Sequence, residues 1–169
     1  MIRPNLLSQR ILARLEKELV EDLREFYGEH LRGAALFGSV VKGTLGIYSD
    51  IDLLILIETR KTLRKELEDF ERYLGEKLEE KYGFFFYPQI LAPKDLRKAR
   101  SLGLALLEGG KVLYDPEGLL EGWLKELRES LNRGKLKDIP ARAKFTGGLK
   151  VERSLLWSRG LDPFGGIYA

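Results

Sequence analysis

The chain has 169 residues, of which 44% are hydrophobic and 33% are charged, so we expect one packed domain, with or without an appendage, beneath a heavily charged surface. It contains no cysteine and a single histidine, which excludes disulfides, thiolate metal sites, a cysteine nucleophile and multi-histidine metal centres. Any metal must therefore be held by oxygen ligands, which suit Mg²⁺ or Mn²⁺.

The net charge of +3 is unevenly distributed along the chain. Residues 1–129 contain 21 Lys and Arg against 23 Asp and Glu, a net charge of −2, whereas residues 130–169 contain 8 against 3, a net charge of +5. The apolar runs are too short for a membrane-spanning helix, and the N-terminus has no signal-peptide pattern. Four Asn and Gln beside 55 charged residues are typical of thermophile proteins. We expect a cytoplasmic protein with no membrane partner.

The first half of the chain alternates between helical and strand patterns. Apolar residues at helical spacing predict an amphipathic helix from Asn5 to about Gly28. The run AALF after Gly33 predicts a buried strand that stops at Gly38, and the Ile-rich run IDLLILIE predicts a central strand. A second amphipathic helix is predicted over roughly 60–81, closed by Gly83.

The second half continues this alternation as far as residue 134. The run FFFYPQIL predicts a strand in which Pro88 favours an edge position or a bulge. A helical stretch from Pro93 and a short strand at 111–114 follow. Asp115, with a proline after it, predicts the start of a helix that ends at Gly134.

This order predicts an α/β (α+β) fold in which helices cover a small mixed β-sheet. We expect a domain over residues 1–115, a helix over 116–134 packed on it, and a basic, glycine-rich tail over 135–169. The tail pattern leaves two interpretations open. It is either an arm that binds a partner, a polynucleotide or another subunit, or a hairpin near 144–156 that packs back on the domain.

Two aspartates at the start of the Ile-rich strand are candidate metal ligands. Asp50 and Asp52 are two positions apart, so in a strand their carboxylates emerge side by side, with Cβ atoms roughly 7 Å apart. Two carboxylates at this spacing can bridge one divalent ion or hold two ions about 4 Å apart. The alternate residues are expected to form the opposite, buried face: Ile51, Leu53, Ile55 and Ile57.

The Gly38-Ser39 pair that ends the preceding strand is a candidate phosphate-binding turn. Gly38 lets the backbone approach a phosphate closely, and Ser39 adds a hydroxyl donor. Lys42 lies one turn later and can add positive charge, while Tyr48 stands just before the aspartates and is a candidate to line the site. A phosphate-binding turn beside metal-binding carboxylates is the arrangement that metal-assisted phosphoryl transfer requires.

The segment LFGSVVKGTLGIYSDIDLLILI, residues 36–57, closely resembles the signature of the DNA polymerase beta-like nucleotidyltransferase superfamily, in particular its minimal nucleotidyltransferases. The resemblance implies a mixed-sheet fold that transfers a nucleoside monophosphate from a nucleoside triphosphate, with ATP favoured, to a hydroxyl acceptor. Asp50 and Asp52 would ligate Mg²⁺ or Mn²⁺, and Gly38 and Ser39 would hold the β- and γ-phosphates.

The resemblance also bears on partners. Minimal nucleotidyltransferases often occur beside a HEPN-domain protein, as a toxin–antitoxin pair, and modify it, so a HEPN-type protein is one expected partner. A homo-oligomer is a further interpretation. Nucleic-acid binding through the basic tail is not favoured.

The sequence departs from the family pattern at one position. Active members carry a third carboxylate on the next strand, but residues 83–94 contain no Asp or Glu, and Gln89 is the polar side chain expected near that position. Glu58 would lie roughly 20 Å along the strand from Asp52, which rules it out, whereas Asp95, Glu108 and Asp115 stay candidates that only loop geometry could bring close. The alternative reading is therefore a nucleotide-binding or partner-binding module with impaired catalysis.

Overall fold

The computed structural model describes residues 3–134, which form a four-stranded sheet with helices on both faces. The strand order is β3-β2-β1-β4. β1 is antiparallel to both of its neighbours, and β2 and β3 are parallel, so the sheet is mixed as the sequence predicts. The strands are β1 (Leu31–Phe37), β2 (Ile51–Ile57), β3 (Phe86–Leu91) and β4 (Gly110–Tyr114).

One face of the sheet is covered by the first two amphipathic helical segments. α1 (Leu6–Tyr27) packs beside a longer helix made of α3 (Leu63–Asp69), a π-helical stretch and α4 (Glu76–Tyr82). The alternate residues of β2 expected on a buried face, from Ile51 to Ile57, do lie in this core. Between β1 and β2 the chain forms only the short helix α2 (Ser39–Lys42).

The other face is covered by the last two helices, α5 (Arg100–Gly109) and α6 (Leu119–Asn132), after a 3₁₀ stretch that begins at Pro93. Leu54 and Leu56 of β2 are fully buried on this side, so β2 is covered on both faces. Because side chains alternate along a strand, Asp52 belongs to this second face, beyond Leu54 at the start of the strand.

Two local features refine the predictions. Pro88 lies in β3, which is an edge strand, as expected. The helix expected to start at Asp115 instead begins at Leu119, and the Asp115 carboxylate accepts hydrogen bonds from the backbone N–H groups of Leu120 and Glu121. Asp115 therefore caps α6 from four residues before its first helical residue rather than as its N-cap.

Within residues 3–134, no helix combines the length and apolar character that a membrane span requires. The predicted hairpin at 144–156 and the basic tail of 135–169 lie outside the described residues.

Candidate active site

The predicted phosphate turn and the aspartate pair meet where β1 ends and β2 begins, which we call the site end of the sheet. Phe37, the last residue of β1, pairs with Asp52 near the start of β2. Gly38 follows directly, and a Cβ atom added to it would overlap the Asp52 carboxylate. The carboxylate therefore packs against the main chain of Gly38, and only glycine leaves room for it.

The backbone of this turn is one that glycine alone adopts readily. Gly38 has φ +75° and ψ −151°, in the region that side chains with a Cβ avoid. α2 then starts at Ser39 and is closed by Gly43, whose φ is +83°. The glycines of the sequence motif thus set the path of the chain between the two central strands.

The start of α1 clamps the loop that links α2 to β2. The Asn5 backbone N–H donates to the carbonyl of Gly43 at 2.9 Å, and the Asn5 side-chain amide donates to the carbonyl of Leu45 at 3.0 Å. The buried Ser8 hydroxyl accepts from the Leu45 N–H at 2.9 Å. A Cβ atom at Gly43 would lie 2.5 Å from Cα of Pro4, so this contact also depends on glycine. The loop is therefore held by residues at the start of α1, which lie outside the sequence motif.

The remaining predicted site residues also lie at this end of the sheet. Asp50 and Ser39 are half-buried. Lys42 is exposed, and its aliphatic chain lies against Gly109, where a Cβ atom would be 3.0 Å from Lys42 Cγ. Tyr48 is 89% exposed on the loop before Asp50. The structure brings Gly38 and Asp52 into contact, whereas the roles of Lys42 and Tyr48 toward a ligand stay predictions.

The position beside Asp52 on β3 is occupied by Tyr87, and not by Gln89 as the sequence predicts. Tyr87 pairs in register with Asp52, whereas Gln89 pairs with Leu54, one step deeper on the same face. Gln89 is fully buried, its amide N–H donates to the Pro88 carbonyl at 3.3 Å, and its Oε1 has no hydrogen-bond partner. Gln89 is thus a core residue. Tyr87 and Gln89 lie on the same face of β3, so only the register of β3 against β2 shows which of them stands beside Asp52.

Two of the three other candidate carboxylates, Asp95 and Asp115, lie at the opposite, far end of the sheet. Asp95 follows the far end of β3, and Asp115 follows the far end of β4, where it caps α6. Glu58 forms an ion pair with Arg32, and the single histidine, His30, accompanies them at that end. These four residues are removed from the aspartate pair.

One acidic residue, Glu108, does lie at the site end. It lies near the end of α5, two residues before Gly110, which pairs with Phe37 of β1, so β1 stands between β4 and the strand that carries Asp52. Across the part of the chain that the structure describes, no three His, Asp or Glu side chains are arranged to hold a metal ion. The site therefore offers two carboxylates.

Comparison with known proteins agrees with this geometry. The family model described as "Nucleotidyltransferase domain" matches residues 16–101, which include the turn, the aspartate pair and β3. A protein of Methanocaldococcus jannaschii named "Putative protein adenylyltransferase MJ1305" is 28% identical over 132 residues, which cover 75% of this chain and 88% of that protein.

Two solved structures share the fold. One is a toxin–antitoxin with AMP-PNP, with a TM-score of 0.50 and 23% identity, and the other is a mutant of the toxin–antitoxin MntA-HpeT, with a TM-score of 0.51 and 22% identity. Each match covers 72% of this chain and 90% of the matched chain. With half of its residues in the family match and the motif glycine against its aspartate, the chain belongs to the nucleotidyltransferase domain family and is a nucleotidyltransferase.

Proposed function

We propose that the protein transfers AMP from Mg²⁺-bound ATP to a hydroxyl group on a protein acceptor. The observation that carries the proposal is the contact between Gly38 and Asp52, which sets the predicted phosphate turn directly beside a predicted metal ligand. The choice of AMP and of a protein acceptor is supported by the name of the Methanocaldococcus jannaschii relative and by the AMP-PNP in one structural neighbour.

The donor set of Asp50 and Asp52 fits Mg²⁺. Both ligands are hard carboxylate oxygens, and Mg²⁺ is commonly held by one or two carboxylates together with substrate phosphates and water. When bound, the ion supplies neutralisation of the charge that develops on the reacting phosphate oxygens. Asp50 and Asp52 would hold it, which also offsets the mutual repulsion of the two carboxylates.

The other motif residues would bind and orient the triphosphate. Gly38 and Ser39 would hold its β- and γ-phosphates through backbone N–H groups and the serine hydroxyl. Lys42 would add positive charge from the exposed side of α2, and Tyr48 would line the entrance. Because residues 3–134 place no third carboxylate in register with Asp52 on β3, we expect slow transfer, since a general base typically contributes a factor of about 10² to 10⁴.

The test is transfer of label from α-labelled ATP, with Mg²⁺, to a purified HEPN-type protein, the acceptor that the family resemblance suggests. Asp50→Asn and Asp52→Asn should each abolish the transfer and weaken Mg²⁺-dependent ATP binding. Asp95→Asn, at the far end of the sheet, is the matched control and should behave as wild type. Full activity of the Asp52→Asn variant would contradict the site assignment.

A second candidate function is a nucleotide-binding or partner-binding module with impaired catalysis. It is favoured by Tyr87, which stands in register with Asp52 where a third carboxylate would be expected. Calorimetry and labelled transfer distinguish the two functions. A module should bind Mg²⁺-ATP in an Asp52-dependent way and still transfer no AMP to any acceptor.

The setting of the reaction follows from its substrate. A protein that consumes ATP and carries no cysteine is suited to the cytoplasm, where we place it. The basic tail of residues 135–169 could add a protein contact, a subunit contact or a polynucleotide contact. Removing it after Gly134 and measuring polynucleotide affinity at several salt concentrations tests the last of these.

A further inference from the structure

The most exposed apolar side chains of residues 3–134 gather at the site end of the sheet. Tyr48 is 89% exposed, Ile47 is 76% exposed and Leu6 is 62% exposed, and these are the three highest values among the large apolar residues described. Phe85, at 50%, lies at the same end. We call these four residues the apolar rim.

Backbone contacts fix the rim residues around the aspartates. Phe85 precedes β3, and its carbonyl accepts a hydrogen bond of 2.8 Å from the N–H of Ile51, the residue between the two aspartates. Leu6 is the first residue of α1, directly after Asn5, which is bonded to the loop at Gly43 and Leu45. The rim residues thus come from three separate segments at the site end of the sheet.

The loop that carries Ile47 and Tyr48 is held in one shape by its own hydrogen bonds. The Gly46 N–H donates to the Ser49 hydroxyl at 2.8 Å, and the Ser49 N–H donates back to the Gly46 carbonyl at 3.0 Å. Leu45, just before this turn, is 2% exposed and anchored to α1. Two large apolar side chains are therefore presented to water by a pre-shaped turn, which lowers the entropy cost of binding.

Away from the rim, the exposed large apolar residues within 3–134 lie on separate elements: Tyr73 at 52%, Val112 at 38% and Phe26 at 37%. In the aromatic run before and within β3, Phe84, Phe86 and Tyr87 are buried and only Phe85 is half exposed. Exposed apolar side chains grouped at one site mark an interaction surface, and rigid tyrosines and other aromatics often carry the binding energy there. One nucleobase could cover one ring of the rim, whereas Ile47, Tyr48 and Phe85 present three separate exposed side chains.

We propose that the apolar rim docks the acceptor protein, through a segment in which apolar residues flank the hydroxyl that receives AMP. The inference rests on the proposed function for the chemistry of the site, while the docking itself requires only the rim. Such a segment would cover Ile47, Tyr48 and Phe85 and set its hydroxyl beside Asp50 and Asp52. The rim would then select the acceptor, and the motif would bind the nucleotide.

The probe is an array of nine-residue peptides with a central Tyr, Ser or Thr and varied flanking residues. It is read twice, once for binding of fluorescent protein in Mg²⁺-ATP and once for transfer of labelled AMP. Wild type should prefer peptides with apolar flanks, and the double variant Ile47→Ser/Phe85→Ser should bind them at least fivefold more weakly. Tyr73→Ser, which removes a 52%-exposed tyrosine from the π-helical stretch between α3 and α4, is the matched control and should bind as wild type.

The two readouts separate this proposal from the proposed function. Rim-dependent binding without transfer upholds the docking surface and contradicts the AMP-transfer proposal. Binding with no preference for apolar flanks, or a preference that Ile47→Ser/Phe85→Ser retains, overturns the docking proposal. A fall in ATP affinity of the double variant, measured by titration without peptide, would assign the rim to the nucleotide and would overturn it as well.

Discussion

Replacing Gly38 by alanine tests the contact between Gly38 and Asp52, because the added methyl group lowers the stability of the fold in two separate ways. The backbone at φ +75° and ψ −151° costs a residue with a Cβ roughly 1–3 kcal/mol. The same Cβ overlaps the Asp52 carboxylate, and overpacking of this kind typically costs about 1–3 kcal/mol more. We expect Gly38→Ala to lower the free energy of unfolding by about 2–6 kcal/mol and to displace Asp52.

A double-mutant cycle separates the two penalties. In an Asp52→Ala background the overlap is absent, so Gly38→Ala should cost only the backbone term, and the two substitutions should be coupled by about 1 kcal/mol or more. The control is Gly83→Ala. Gly83 has φ +80° but no atom within 4 Å of an added Cβ, so the substitution should cost about 1 kcal/mol and leave the site intact.

The assays are urea unfolding of the four proteins of the cycle and Mg²⁺-ATP titration of the folded single variants. Gly38→Ala should bind Mg²⁺-ATP at least tenfold more weakly than wild type, whereas Gly83→Ala should bind as wild type. Additive unfolding free energies in the cycle would refute the contact between Gly38 and Asp52. Wild-type nucleotide binding by Gly38→Ala would refute its role in the site.

Two further predictions concern buried polar groups away from the turn. Gln89→Leu should leave AMP transfer unchanged. It should raise the free energy of unfolding by about 1 kcal/mol, because it removes the buried Oε1 that has no hydrogen-bond partner. Loss of transfer would show that Gln89 belongs to the site. A hydrogen bond from Lys61, with a second from Lys65, holds the pKa of Asp69 below its usual value. Stability from these pairs is present above the ordinary aspartate pKa and lost as pH falls through the lowered one. The gap in urea midpoint between wild type and Asp69→Asn should therefore shrink between pH 7 and pH 3, and a constant gap would contradict this.

Much of the fold can be predicted from hydrophobic periodicity. The segments predicted to end at Gly28 and Gly83 do so, because a long amphipathic face and a terminal glycine are both local signals. β2 is also predictable, since a continuous apolar run suits a strand covered on both faces. The prediction of Asp115 as the N-cap of α6 is wrong. A proline after an acidic residue is typical of a helix start, but here the chain first makes a turn and the N-cap is Gly118.

The candidate site was predictable as a motif but not as a set of neighbours. Spacing alone predicts that Gly38 and Asp52 act together, and the antiparallel register of β1 and β2 brings them into contact. The residue of β3 that stands beside Asp52 could not be predicted. Shifting the register of β3 by two residues leaves each side chain on the same face of the sheet but gives it a different neighbour on β2. The apolar rim could not be predicted for a related reason. Phe85 and Phe86 point to opposite faces, and the sequence does not indicate which of the two is covered by a helix.

The register of three strands assigns the proposed metal ligands and the residue expected to be a third carboxylate to different strand pairs. Asp52 lies between two aromatic neighbours, Phe37 on β1 and Tyr87 on β3, and both are buried. Asp52 reaches Gly38 across the β1–β2 pair, whereas Tyr87 stands beside Asp52 on the edge strand β3. Under the proposed function, nucleotide binding would depend on the two central strands, and the rate of transfer would depend on the side chains that β3 and the docked acceptor place next to them.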